Sequence, residues 1–455
     1  MTDNFEYSAI FARARHVHFT GIGGVSMSAL AMIAKSQGKQ VSGSDINASP
    51  ATERLKAHGI TVTIGHAAEN AAGCDLLVYT AAVKDDNPEL VYVKTRGVPH
   101  CERATLLGIL MANYPSSVAV SGTHGKTTTT SMLSCVFLTA EKDPTVLVGA
   151  ELSAISGNYR IGRSDYAVYE ACEYCNSFLH FFPQTAIVLN IDEDHLDFFK
   201  DLADIQRSFS LFTQNISKGG LLVINGDDPN CEPVTRQSPV PVIRFGLGAD
   251  NECRASDIRF EQGRASFTVI YKGAVLGRVS LNVNGRHNVL NALAATAAAL
   301  RYGLSFEDIA RGLAAFTGAD RRFQIVGSVN GADIIDDYAH HPAEISSTIA
   351  AAKDAGYKKT TVIFQPHTFT RTYYLMDDFA ASLRAADKVV LTDIYSAREI
   401  NTIGVKITDL RDKIEGSAYI SAFDDIAAYI LDNASPGECF ILMGAGSVNQ
   451  IAKLL

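Results

Sequence analysis

Along most of the chain, short apolar runs rich in β-branched residues alternate with stretches of helical period. From residue 16 to about 114 the runs HVHFT, KQVSGSD, TVTIG and CDLLVYT alternate with helical patterns from about Ser26 to Gln37 and around ATERLKAHG. That rhythm predicts βαβ units on a parallel sheet. A second cycle opens at SSVAVSGTHGKTTTTSMLSCVFLTA, where a strand passes through a glycine turn into a helix, and continues through YAVYEAC, TAIVLNI and GGLLVIN. Between about Val242 and Val283 the runs PVIRFG, ASFTVIY and GRVSLNV are less regular and predict an antiparallel section, before the Ala-rich helix NVLNALAATAAALRYG. After FTGADRRFQIVG a third unit offers strands at ADIIDDY, TTVIFQ, KVVLTDIY and CFILMGAG. Three α/β domains are therefore expected, over residues 1–114, 115–318 and 319–455.

Composition narrows the function classes. The chain has 455 residues, 47% hydrophobic and 20% charged, with a formal charge of -9, which fits a globular protein and disfavours a nucleic-acid binder that works by general electrostatics. Neither a leader pattern nor a run of about 18 apolar residues is present, so no membrane partner is expected and the cytoplasm is the expected location. Eight cysteines are too sparse for a disulfide framework. Cys172-x-x-Cys175 has the spacing of a redox pair or half a zinc site, but no second pair follows at metal spacing.

Two glycine loops carry the strongest chemistry. In HFTGIGGVSMSALA, residues Gly21, Ile22, Gly23, Gly24, Val25 and Ser26 link a strand to a helix, the arrangement that presents backbone N–H groups to a diphosphate. With Asp45 about 20 residues on, it resembles a dinucleotide fingerprint, except that Ser26 stands where the third glycine belongs. The second loop, SGTHGKTTTT, holds Gly122, Thr123, His124, Gly125, Lys126, Thr127 and Thr128. It is a phosphate cradle in which Lys126 reaches the terminal phosphates and the Thr127 hydroxyl a Mg²⁺, although Gly122 and Gly125 are closer than in the usual P-loop.

Further clusters fall at strand ends. NIDEDHLDFF places acids beside His195, and Glu170 ends YAVYE; oxygen ligands with one imidazole suit Mg²⁺ on a triphosphate. DDYAHHPAEI and FQPHTFTRT supply His340, His367 and Arg371 where open α/β sheets bind ligands. In GRHNVLNALAA, Asn288 and Asn291 lie one helical turn apart, where they could face one ligand, but by themselves read as cap and core polar residues.

Taken in this order, GIGGVSMSALA, GTHGKTTTT, NIDEDH, GRHNVLNALAA, RRF, DDYAHHPAEI and FQPHTFTRT resemble the Mur ligases, from about His16 to Gly446. The last two motifs point to the branch that adds the first amino acid. The resemblance implies a Rossmann-like N-terminal domain for a UDP-sugar, a central P-loop ATPase-type domain, and a Rossmann-like C-terminal domain that closes on ATP and amino acid. It implies an ATP-dependent ligase that joins L-alanine to the lactyl carboxylate of UDP-N-acetylmuramate through an acyl phosphate, in peptidoglycan precursor synthesis. ATP and Mg²⁺ are the implied cofactors, and a monomer or weak homodimer the implied assembly. On this resemblance Lys126 and Thr127 meet ATP and Mg²⁺, with Glu170 and His195 as metal ligands. Asn288, Asn291, Arg322 and Asp337 contact ATP, and His124 meets the acceptor end of the sugar. Tyr338, His340 and Arg371 form the alanine pocket, while His66 and Arg103 assist the first glycine loop. Thr368 stands where many relatives carry Arg, and Cys172 and Cys175 where they carry acids or small residues.

Three other readings compete. One is a related ligase that attaches a preformed peptide to the same acceptor. An NAD-dependent oxidoreductase accounts for the first glycine loop but not the second. A P-loop switch protein leaves DDYAHHP and FQPHTFTRT without work.

Overall fold

The computed structural model describes residues 2–397 and 399–455. Its strands form three sheets that follow one another along the chain.

The first sheet contains β1 (His16–Thr20), β2 (Gln40–Asp45), β3 (Thr61–Ile64), β4 (Leu76–Tyr79) and β5 (His100–Glu102) in the order β3-β2-β1-β4-β5. Every pairing is parallel. The order reverses beside β1, and the crevice above that switch point receives the first glycine loop. Helix Val25–Ser36 packs Met27, Leu30, Ala31 and Ile33 into the core, so its N-terminus is fixed over the strand ends.

The second sheet has ten strands: β6 (Ser116–Ser121), β7 (Thr145–Leu152), β8 (Gly157–Arg160), β9 (Tyr166–Glu170), β10 (Thr185–Val188), β11 (Leu221–Asn225), β12 (Val242–Gly246), β13 (Cys253–Glu261), β14 (Arg264–Tyr271) and β15 (Ala274–Asn284). Central β6 lies between β10 and β9, both parallel to it, so the chain leaving all three strands converges on one rim. The antiparallel section begins later than the sequence pattern suggests. β12 pairs in parallel with β11, and only β13 to β15 run antiparallel. Covalent connection explains the difference: β11 reaches β12 through the helix Glu232–Arg236, whereas Gln262-Gly263 and Lys272-Gly273, all at positive φ, make tight hairpin turns. Strand β7, the edge strand β8 and the first helix, Thr2–Arg13, are additions to the elements read from the sequence.

The third sheet orders β16 (Gln324–Val329), β17 (Ala332–Asp337), β18 (Thr360–Phe364), β19 (Lys388–Leu391), β20 (Ala418–Tyr419) and β21 (Cys439–Met443) as β16-β17-β21-β18-β19-β20. Only β16 is antiparallel to its neighbour. The carboxyl ends of β17 and β18 carry Asp337 and Gln365, and both face the rim of the second sheet through the segments that follow them.

Candidate active site

The first glycine loop is held by its own sheet. Gly21 and Ile22 donate their N–H groups to Ser44 O at 2.8 and 2.9 Å, and Gly23 N–H donates to Asp45 Oδ2 at 2.8 Å. Gly21 has φ +84°, and a side chain there would meet Thr80 Cγ2 at 2.8 Å. Ile22 is fully buried, so only its backbone borders the crevice, and Asp45 is engaged by the loop itself. Gly24 and Val25 are exposed and Ser26 is half-buried. Helix Val25–Ser36 begins with no side-chain cap and no acid in its first turn, which leaves its N-terminus open to an anion. His66 Nδ1 lies 2.9 Å from Ser44 Oγ, and Arg103 sits at the start of helix Arg103–Met111, where burial weakens its proton affinity.

Beneath these groups is a residue that the sequence did not single out. Glu89 is fully buried and accepts from Thr20 Oγ1 and Ser44 Oγ, each at 2.7 Å, and from Asn70 Nδ2 at 2.8 Å. His18 Nε2 lies 3.3 Å away. Burial opposes its charge, but His18, Asn70, Thr20 and Ser44 outweigh burial and hold the carboxyl at about 2.

At the second loop, Gly122 and Gly125 take φ +136° and +84°. A side chain on Gly125 would meet Asn291 Oδ1 at 2.8 Å, so the helix His287–Arg301 packs directly on the cradle. Asn291 donates to Asn288 Oδ1 at 2.9 Å, and Asn288 to Asn284 O at 2.7 Å; both asparagines are buried. The cradle is tied to the loop after β10: His124 N–H donates to Asn190 Oδ1 at 2.8 Å, and Asp192 N–H to Thr123 Oγ1 at 2.9 Å. Lys126 Nζ donates to Gly122 O and Thr123 O and bridges both oxygens of Glu173 at 3.0 and 2.9 Å. Burial opposes the ammonium charge, and Glu173 overrides it, so Lys126 binds its proton more tightly than a free lysine.

The acid paired with Lys126 is thus Glu173, a residue that the sequence did not single out, three residues past Glu170. Glu173 Oε1 lies 3.9 Å from His195 Nε2, whereas Glu170 accepts from Gly149 N–H at 2.5 Å and from the Thr127 hydroxyl. Burial raises the Glu170 carboxyl above its ordinary range. Cys175 and Asn176, with φ +52° and +56°, turn the chain sharply after Glu173. Cys172 and Cys175 are not joined to each other, and the Cys172 thiol is pushed up to about 11, first by burial. His195 is itself left-handed, with φ +55°, and its N–H donates to Asp194 Oδ1 at 2.7 Å.

A cleft of about 770 Å³ opens above the cradle, bordered by His124, Gly125, Thr128, Asn288 and Asn291 from the central unit and by Arg322 and Asp337 from the C-terminal one. Asp337 accepts from Phe323 and Ala339 N–H, and burial raises its carboxyl to about 6 against the pull of Arg322. A second pocket of about 340 Å³ is lined by Asp194, His195, Tyr338, Thr368, Arg371 and Tyr374. Arg371 Nε and Nη2 both donate to Asp194 Oδ1, at 3.0 and 2.9 Å. His340 lies outside that lining: its Nδ1 is 2.9 Å from Tyr338 O, and burial lowers it to about 4. The structure therefore brings Tyr338 and Arg371 together at a pocket shared with His195, and sets His340 behind Tyr338.

Three family profiles match successive parts of the chain: the Mur ligase family, catalytic domain, over residues 16–115; the Mur ligase middle domain over 120–299; and the Mur ligase, glutamate ligase domain, over 321–446. The chain is 48% identical over 446 residues to a UDP-N-acetylmuramate--L-alanine ligase of Acetivibrio thermocellus, covering 97% of this chain and 95% of that one. Among solved structures it is similar to the UDP-N-acetylmuramate-alanine ligase of Thermotoga maritima, with TM-score 0.81 and 30% identity over 96% of this chain and 97% of that one. It is also similar to a murein peptide ligase of Psychrobacter arcticus, with TM-score 0.73 and 27% identity over 97% and 98% of the two chains.

Proposed function

The chain belongs to the Mur ligase family, and on that premise we propose that it joins L-alanine to UDP-N-acetylmuramate with ATP, in the making of peptidoglycan precursors. The observation that carries the reading is a run of contacts along the shared rim: Lys126 of the phosphate cradle bridges Glu173, Glu173 faces His195, and Arg371 of the C-terminal unit clasps Asp194, the neighbour of His195.

The UDP diphosphate lies at Gly21 to Ser26, on the open helix N-terminus, with His66 and Arg103 beside it. ATP fills the larger cleft, its phosphates on Gly122 to Thr128, with Asn288, Asn291, Arg322 and Asp337 around the nucleoside. Lys126 moves from Glu173 to the terminal phosphates and neutralises charge as the lactyl carboxylate takes the γ-phosphoryl group. The amine of alanine then attacks the acyl carbon, the C–O bond to phosphate breaks, and inorganic phosphate and a proton leave as the amide forms; the alanine carboxylate pairs with Arg371, and Tyr338 and His340 help to place it.

The residues around Lys126 also suit Mg²⁺. Glu173 and His195 face each other, and the Thr127 hydroxyl rests on Glu170, so an oxygen-rich set with one imidazole borders the terminal phosphates. Mg²⁺ bound there would neutralise the phosphate oxygens, with Thr127, Glu173 and His195 nearest it and Glu170 behind Thr127. No helix among the described residues is long and apolar enough to cross a membrane, and the reading places the enzyme in the cytoplasm with its nucleotide substrates, as a monomer or weak homodimer.

Two comparisons test the reading against its rivals. Thermal stabilisation by UDP-N-acetylmuramate with no response to NAD supports it, and the reverse supports an oxidoreductase. Turnover with free L-alanine but not with a tripeptide separates it from a peptide ligase.

A further inference from the structure

At the edge of the large cleft, which His124 and Asp192 line, three side chains from different parts of the fold converge. They are His124 in the phosphate cradle, Asp192 in the loop after β10, and His341 at the cap of helix Pro342–Asp354. A nitrogen of each histidine and a carboxylate oxygen of Asp192 all lie within 4.8 Å of one another. His124 Nε2 is 3.5 Å and His341 Nδ1 3.9 Å from the same oxygen, Asp192 Oδ2. The two rings lie 4.5 Å apart, centroid to centroid.

The remaining ring nitrogens are already anchored. His341 Nε2 is 3.0 Å from Glu193 O, so it carries the proton, and the Nδ1 lone pair accepts the Ala343 N–H at 3.4 Å, a long helix-cap bond that a metal ion would have to replace. His124 Nδ1 faces Glu344 Oε1 at 3.4 Å and its buried Nε2 faces Asp192 Oδ2; against the cost of burial, the two carboxylates raise the imidazole to about 9, so a metal ion must displace its proton. An imidazole with one nitrogen on a carbonyl or carboxylate and the other aimed at a shared point is the outer-shell pattern of metal-bound histidines. Tetrahedral ligands about 2.0 Å from Zn²⁺ stand roughly 3.3 Å apart, so the three groups need to draw in by less than about 1.5 Å.

We propose that His124, Asp192 and His341 form a site for a divalent cation of the Zn²⁺ class, separate from the Mg²⁺ position at Glu173 and His195. Two imidazoles and one carboxylate favour Zn²⁺ or Co²⁺ over Mg²⁺, which prefers oxygen. Because His341 belongs to the C-terminal unit and the other two to the central one, the bound ion fastens the two together across the cleft. Binding displaces the proton shared among His124, Asp192 and Glu344, so it releases acid.

The test is a titration of the untagged, EDTA-treated protein with Co²⁺, without nucleotide or Mg²⁺, followed by the visible ligand-field band. One equivalent is expected to bind and to be displaced by Zn²⁺. His341→Ala and Asp192→Asn each weaken binding more than tenfold while retaining wild-type circular dichroism, Glu344→Gln weakens it about tenfold through the outer shell, and His195→Ala leaves it intact. No band at stoichiometric Co²⁺, a band that survives both His341→Ala and Asp192→Asn, or one abolished by His195→Ala overturns the site.

Discussion

Arg371, on the helix that follows β18, clasps Asp194, the neighbour of His195, through two nitrogens on one oxygen at 3.0 and 2.9 Å. Both side chains are nearly buried, and Arg371 holds the Asp194 carboxyl far below the usual range although burial opposes this. The guanidinium proposed for the amino-acid carboxylate thus already holds a carboxylate of the central unit. Arg371→Ala is expected to raise KM for L-alanine by about 10- to 100-fold, the value of a hydrogen-bonded charge of roughly 1.5–3 kcal/mol, with UDP-N-acetylmuramate affinity unchanged. Steady-state kinetics with each substrate varied check this, and an unchanged KM for alanine removes Arg371 from the pocket.

Lys126 and the first glycine loop belong to different sheets. Lys126→Ala is therefore expected to lower kcat by roughly 10³-fold, as for loss of a group that stabilises transition-state charge, and to leave UDP-N-acetylmuramate binding within a factor of about two by calorimetry. Loss of both together would break the assigned division of labour.

Glu173 and Glu170 are separated by their partners: one faces Lys126 and His195, the other Gly149 and Thr127. Glu173→Gln is expected to raise the Mg²⁺ concentration for half-maximal rate more than tenfold, and Glu170→Gln to raise it less. Rates measured across a Mg²⁺ series at saturating ATP decide between them. A larger effect at Glu170 reverses the assignment.

The two glutamates also show what a sequence makes legible. The strand-loop-helix order around Lys126, the sheet class and the convergence of strand ends follow from local patterning, because each needs only neighbours along the chain. Glu173 does not, since its approach to Lys126 joins the loop after β9 to the helix after β6, 47 residues apart, a contact made by tertiary packing and not by local pattern. Asp194 looked like one acid among several until Arg371, 177 residues away, was folded against it. Glu89 was hidden for the same reason: its donors Thr20, Ser44 and Asn70 come from separate βα units.

Glu89 gives a pH dependence. Its folded value of about 2 lies below its ordinary 4.5, so its contribution is fully present above about pH 4.5 and is lost as pH falls toward 2. That shift corresponds to roughly 3 kcal/mol. Glu89→Gln is expected to unfold at lower denaturant concentration at pH 7, and to lose less stability than the wild type between pH 5 and 3. Parallel acid dependence in the two proteins would show that Glu89 is not the responsible group.

The central claim is tested most directly by phosphate release in the presence of ATP, Mg²⁺, UDP-N-acetylmuramate and a panel of amino acids, with products weighed by mass spectrometry. The account predicts one phosphate per UDP-N-acetylmuramoyl-alanine formed, and no release above background when either the sugar nucleotide or the amino acid is left out. Stoichiometric release without the sugar nucleotide, or a product that carries only a peptide and never alanine, would contradict it.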